Sequence, residues 1–381
     1  MSDKDFFGHS TNLRTLFFTE MWERFSYYGM RAILLLFMVT PSTSGGLGLS
    51  LSNAAAVYAV YTGGVYLACL PGGYIADKYV GIYKGVQLGG IGIFLGHLII
   101  ALTGQLGFFW GLLMVALGTG FLKPNISALV GQLYVNNEKQ RDAGYSLYYM
   151  GINIGAFIAP LVCGWLSQSL LFKNLLSSNG IDPNLSWHFG FGAAAVGMGL
   201  GLAMFIRKGH ALEQISPEPC ELESEKKIFV FKILLPFALV IGSLVYFFST
   251  NFNLSAKQIG DYFGILLLII TSIFFITIFL YKEWSDEEKH ALSLIAALFA
   301  IASIFWSLYE QAGSTLTIFA ERATDNAFFG VSFPSSWFQS LNPVYIIILA
   351  PLFAWIWPQV PSSFSNLMKF AIGLFFMAIG W

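Results

Sequence analysis

Charge is scarce in this chain. Asp, Glu, Lys and Arg make up 11% of its 381 residues, against 56% hydrophobic residues and a mean hydropathy of +0.67. Soluble domains carry about 25% charged residues, so this composition excludes an ordinary water-soluble fold and points to a membrane protein. A surplus of one sign is missing too. With 20 basic residues against 21 acidic ones, the net charge is -1, and nothing is available to neutralise a phosphate backbone, so no nucleic-acid partner is expected. Cysteine is almost absent: Cys69, Cys163 and Cys220 stand alone, without a CxxC pair or a His at ligand spacing, which argues against a metal site or a disulfide framework. No Gly-rich run ends in the Gly-Lys-Ser/Thr of a phosphate loop. The polar residues 1–13 lead into a charged helix and not into a short apolar core with a cleavage site, so no signal peptide is expected.

Long apolar runs are what the chain does have. Eleven segments approach or exceed the ~20 residues that cross a bilayer: 14–39, 52–76, 81–103, 106–130, 142–171, 187–207, 228–250, 258–281, 290–320, 337–357 and 364–381. The expectation is an all-α, polytopic membrane protein with a lipid bilayer as its solvent. With the N-terminus inside, fourteen of the Lys and Arg residues fall in cytoplasmic segments and only Lys173, Lys257 and Arg322 in outer ones, while Arg24, Arg31 and Lys123 lie within spans. That asymmetry predicts a cytoplasmic N-terminus. Six spans, residues 1–207, precede the charged, proline-containing segment 208–227, which suits a linker between two bundles that rock against each other, or a solvated loop with no mechanical part.

The first span holds what a lipid-facing helix could not tolerate. Glu20, Glu23, Arg24, Tyr27 and Arg31 fall within about a 100° arc at 100° per residue, with Leu16, Phe17, Ala32, Leu34 and Leu36 around it expected to meet lipid. Charges at bilayer depth cost several kcal/mol each unless paired or hydrated, so the stripe reads as a substrate or ion pathway; a purely structural ion-pair network is the other reading. Lys123, beside Pro124, should meet a carboxylate of the first span, receive an anionic ligand group, or snorkel to the cytoplasmic interface. Trp306 stands one helical turn before Glu310-Gln311, and a carboxylate, an amide and an indole together suit an ammonium or a proton. Asn153 and Asn342 are amides in apolar helices, each able to donate and to accept. Glycines at 89, 90, 92 and 96, and at 197, 199 and 201, are expected to let helix backbones approach closely.

Several of these motifs resemble the proton-dependent oligopeptide transporters of the major facilitator superfamily. Glu20-Met-Trp-Glu23-Arg24-Phe25-Ser26-Tyr27-Tyr28-Gly29 is similar to the family's Glu-x-x-Glu-Arg-Phe-x-Tyr-Tyr-Gly motif at every defined position. Gly72 to Lys78 with Gly81 resembles the superfamily's loop between helices 2 and 3. Lys123-Pro-Asn, Arg141 to Phe157, Glu310-Gln311 and Ser340-Leu-Asn342-Pro343 resemble the family's patterns on helices 4, 5, 7 and 8.

The resemblance implies a major facilitator fold of two bundles, 1–207 and 290–381, with 208–289 as linker plus an inserted helix pair. It implies that Arg24, Tyr28 and Lys123 hold a peptide carboxylate, that Asn153 and Asn342 lie near its amino terminus, and that Tyr66 and Trp306 line side-chain pockets. Arg31 and Glu310 match a pair that closes the outer gate, and Glu20 and Glu23 match carboxylates tied to proton coupling. The expected activity is therefore not enzymatic: symport of di- and tripeptides with protons across the cell inner membrane by alternating access, with the proton as coupling ion and no other cofactor. A family member moving another small anion such as nitrate is one alternative. The segment 364–381 matches only a ninth family helix, so a non-transporting fragment of such a transporter, lacking the last three helices, is another.

Overall fold

A computed structural model of the protein describes residues 4–135, 138–219, 255–281, 284–356, 359 and 366–380. A short antiparallel hairpin, β1 (Lys4–Phe6) and β2 (His9–Ser10), opens the chain, and His9 Nδ1 lies 2.7 Å from the Tyr134 hydroxyl. Apart from one further short hairpin, the regular structure of the other described residues is helical, as expected. The first bundle is built from α1 (Thr11–Val39), α2 (Leu51–Ile75), α3 (Ile82–Leu102), α4 (Gln105–Gln132), α5 (Glu138–Gln168), the short α6 (Leu170–Ser178) and α7 (Ser186–Lys208), followed by α8 (His210–Ile215). Next come α9 (Ala256–Leu280), α10 (Asp286–Tyr309), α11 (Thr315–Ala323), a second hairpin of β3 (Ala327–Phe328) and β4 (Val331–Ser332), α12 (Leu341–Ile356) and α13 (Asn366–Gly380). Eight helical segments among the described residues are long and apolar enough to cross a membrane. The expected span 228–250, Cys220 and the end of the 208–227 linker lie outside the described residues.

Three expectations need correction. The face of α1 around the charged stripe does not meet lipid: Leu16, Phe17, Ala32, Leu34 and Leu36 are all buried, because α5 and α7 pack along α1 and place it inside the bundle. The span 290–320 is not one helix. α10 ends at Tyr309, a 3-10 turn covers Glu310–Gly313, and α11 restarts at Thr315. No proline marks this break, so hydropathy could not reveal it. The segment 142–171 is likewise divided, α5 stopping at Gln168 and α6 starting at Leu170.

Small residues decide how closely the helices approach. α3 and α4 touch backbone to backbone: a methyl group at Gly118 would stand 2.6 Å from the Ile93 nitrogen and 2.7 Å from the Gly89 oxygen. Gly96 and Gly111 oppose each other one level away on the same two helices. In lipid, where apolar burial drives no helix association, such close packing supplies the attraction. Gly118→Ala should therefore cost about 1–3 kcal/mol of stability by overpacking, whereas Gly64→Ala, with nothing within 4 Å of the added carbon, should leave the melting temperature in detergent unchanged or raise it; equal effects at the two sites would refute the packing account.

Candidate functional site

The charged stripe of α1 is assembled at a depth where every charge needs a partner. Glu20, Glu23, Arg24 and Arg31 are each 5% exposed or less. Arg24 Nε bridges Glu20, at 3.0 Å from Oε1, and its neighbour Glu23, while the guanidinium carbon lies 5.2 Å from the centre of the Tyr27 ring. One cation shared by two carboxylates is a charge-assisted arrangement that leaves groups over. Arg24 Nη2 and Glu23 Oε1 are buried without a hydrogen-bond partner among the described residues. A buried donor left open is costly unless a ligand or water completes it.

α5 can sit on this stripe because Gly155 replaces a side chain with space. A carbon added there would collide with the Met21 carbonyl and the Phe25 nitrogen of α1. Asn153, two residues earlier, is buried, and its Nδ2 donates to Tyr149 O of its own helix at 2.9 Å. On the opposite wall, Gly72 of α2 packs against Gly120 of α4, which brings Lys123 to Tyr66. The ammonium lies over that ring at 4.1 Å from its centre. Among the described residues no carboxylate is within ion-pairing distance of Lys123, so the expected partner on the first span is not met; the cation rests on an aromatic face, within electrostatic reach of Arg24, Glu23 and Glu20. Tyr28, half-buried, stands edge-to-face with Tyr27 at 5.2 Å.

Two turns along α1 from Arg24, Arg31 joins the two halves of the chain. Its Nε donates to the Tyr58 hydroxyl of α2 at 2.6 Å, and its Nη2 forms an ion pair with Glu310 in the turn after α10. The break in the helix makes this possible. Gly313 is buried against Arg31 Nε and the Tyr58 hydroxyl, where a larger residue could not fit. Around the pair runs a seam of neutral hydrogen bonds. Gln339 Nε2 donates to Thr317 Oγ1 (2.8 Å) and Ala32 O (3.4 Å), Ser340 Oγ to Phe157 O (2.7 Å), and Trp337 Nε1 to Leu161 O (3.1 Å). Gln168 of α5 donates to Ser335 Oγ at 3.1 Å and accepts from Ser336 N at 3.4 Å.

The second half contributes an aromatic and amide wall. Trp306, 50% exposed, packs edge-on against Tyr309 at 5.2 Å, and the Tyr309 hydroxyl donates to Asn342 Oδ1 at 3.0 Å. The structure thus gathers Glu20, Glu23, Arg24 and Lys123 on one side, pairs Arg31 with Glu310, and links the Trp306 and Asn342 positions through Tyr309. Tyr58, Tyr309 and Gln168 went unnoticed in the sequence. Tyr58 and Tyr61, three apart in an apolar helix and both buried, were the available signal, since a phenol hydroxyl in hydrocarbon needs a partner.

Comparison with known proteins gives consistent results. The family model described as the POT family matches residues 83–381, which leaves the α1 stripe outside the match. Relatives include it. The chain is 36% identical over 393 residues to the peptide transporter YePEPT of Yersinia enterocolitica, covering 99% of this chain and 74% of that protein. It is 36% identical over 385 residues to a di-/tripeptide transporter of Lactococcus lactis, covering 98% and 74%. Among solved structures, a mutant of the peptide transporter POT in complex with alafosfalin superposes with a TM-score of 0.87 at 37% identity, over 98% of this chain and 74% of that one.

Tyr58→Phe should show how much the buried guanidinium depends on its phenol. Loss of an acceptor for a charged donor costs about 1–3 kcal/mol, and because Tyr58 and Glu310 share Arg31, their substitutions should be non-additive. A double-mutant cycle with Glu310→Gln, read as melting temperature, should give a clear coupling; strict additivity would mean that the two contacts are independent.

Proposed function

Given that this chain belongs to the POT family, a family of membrane transporters, we propose that it carries di- and tripeptides into the cell together with protons, across the inner membrane, by alternating access of its two bundles. The observation that carries the reading is a pair of incompletely used cations within electrostatic reach of each other: Arg24 with a buried Nη2 that has no partner among the described residues, and Lys123 with an aromatic face and, among the described residues, no carboxylate at ion-pairing distance. A peptide carboxylate supplies what both lack. Its ammonium, some ångströms away, needs acceptors, and Asn342 and Asn153 offer amide oxygens on the two bundles. Tyr28 completes the carboxylate end, while Tyr66 and Trp306, both partly exposed, offer aromatic surfaces that tolerate different side chains. A nitrate ion would use the two cations but leave the Tyr309–Asn342 wall without a role.

Coupling to protons follows from competition. Glu20 and Glu23 hold Arg24, and a peptide carboxylate arriving at that guanidinium contends with them. A buried carboxylate that loses its cation is more easily kept protonated than charged, so peptide and proton enter together and leave together. The Arg31–Glu310 pair serves as the outer gate, because opposite charges on different bundles stabilise only the state in which they touch. The basic-residue asymmetry supports a cytoplasmic N-terminus, which puts that gate on the outside.

In proteoliposomes of the full-length protein, an inward proton gradient should drive uptake of labelled dialanine, and Lys123→Ala should abolish it. Equal uptake with and without the gradient would rule out coupling, and competition by nitrate but not by dipeptides would favour the anion reading. Glu310→Gln should weaken gradient-driven uptake more than peptide exchange; a parallel fall of both by one factor would remove the gate assignment.

A further inference from the structure

Only three basic residues belong to the segments read as outer ones, and two of them share a cavity. A hollow of about 420 Å³ opens where the end of α1, the α5–α6 junction and the start of α7 face α11 of the other bundle. Lys173 of α6 and Arg322 of α11 line it, with Glu321, Gln168, Trp187 and Ile318. Neither Lys173 nor Arg322 has an ion-pair partner among the described residues, whereas the third outer cation, Lys257, is paired with Asp261 at 2.8 Å away from this hollow. Such volume is in the range of small-molecule sites, roughly 300–1,000 Å³.

The cavity stands directly on the seam between the bundles. Gln168 belongs to both: the Nε2 that donates to Ser335 Oγ also lies 3.3 Å from Glu321 Oε2. Two cations, one carboxylate, an amide, an indole and an aliphatic side chain form a lining complementary to a zwitterion with a variable apolar body. A structural ion-pair cluster would have brought the opposite charges into contact, and here they are not. We propose that this cavity is an outer loading site, in which Lys173 and Arg322 draw the carboxylate of a di- or tripeptide and Glu321 its ammonium before the bundles part. The proposal rests on the substrate and orientation given above. A peptide held here also competes with Gln168 for Glu321, so capture loosens one bond of the seam that must open.

The test is sided kinetics of dialanine transport in proteoliposomes of the full-length protein. Lys173→Gln and Arg322→Gln should each raise the KM for dialanine offered from outside by about two- to fivefold, the range of an exposed ion pair, with the maximal rate unchanged and the KM for efflux unmoved. Lys173→Arg should restore the KM, and Lys257→Gln should alter neither constant. An unmoved KM in both variants would overturn the proposal, as would an equal shift in all three Gln variants, which would reflect general surface charge, or a fall in maximal rate at constant KM, which would make these residues part of the gate alone. Absence of dialanine uptake by the wild-type protein would sink the transport reading and this site with it, whereas normal uptake with unmoved KM sinks the loading site only.

Discussion

An ionised side chain inside a bilayer must be matched, and the arrangement of this protein follows from matching the charges of α1. A lone guanidinium at that depth is costly by any measure, so Arg24 is enclosed by Glu20, Glu23 and the Tyr27 ring, and Arg31 by Tyr58 and Glu310. Matching demands enclosure. That is why α1 lies inside the bundle with α5 and α7 along it, its aliphatic residues as buried as its charged ones. Removing one member of such a set is more disruptive than the contact alone suggests, because the remaining charge stays buried without compensation.

Enclosure at this density needs helices closer than ordinary side chains allow. Gly155 seats α5 on α1, Gly72 and Gly120 draw α2 to α4, and the glycines of α3 and α4 interlock. The consequence reaches the site: the α2–α4 approach puts Lys123 over Tyr66. Close packing within the first bundle and the placement of Lys123 therefore have one cause, the small residues that let backbones touch.

The junction between the bundles is built differently. One ion pair, Arg31 with Glu310, is surrounded by neutral hydrogen bonds from Gln168, Gln339, Ser340 and Trp337, several of them to backbone oxygens. Each neutral bond contributes about 0.5–1.5 kcal/mol net, and each can be exchanged for water when the surfaces separate. A seam of this kind holds one arrangement through many small terms, with Ile318 packed against the core of the first bundle beside it. An interface whose bonds can be exchanged in this way suits the alternating access proposed above.

The sequence by itself determined the membrane class, most of the spans and the identity of the charged groups on α1, because hydropathy and helical spacing report the transfer of each residue from water to hydrocarbon one at a time. It also carried the Glu20 to Gly29 motif, on which the resemblance to the family rests. Apart from the Arg31–Glu310 pair, which the resemblance already implied, the tertiary structure decided which groups meet. The break at Glu310–Gly313 has no proline to announce it and arises from the fit of Gly313 against Arg31 and Tyr58. Lys123 found an aromatic ring and, among the described residues, no carboxylate, and Tyr58, Tyr309 and Gln168 gained their parts from helices distant in the chain. Partnership depends on crossing angles and close approaches summed over many helices, and no local window of residues contains that sum.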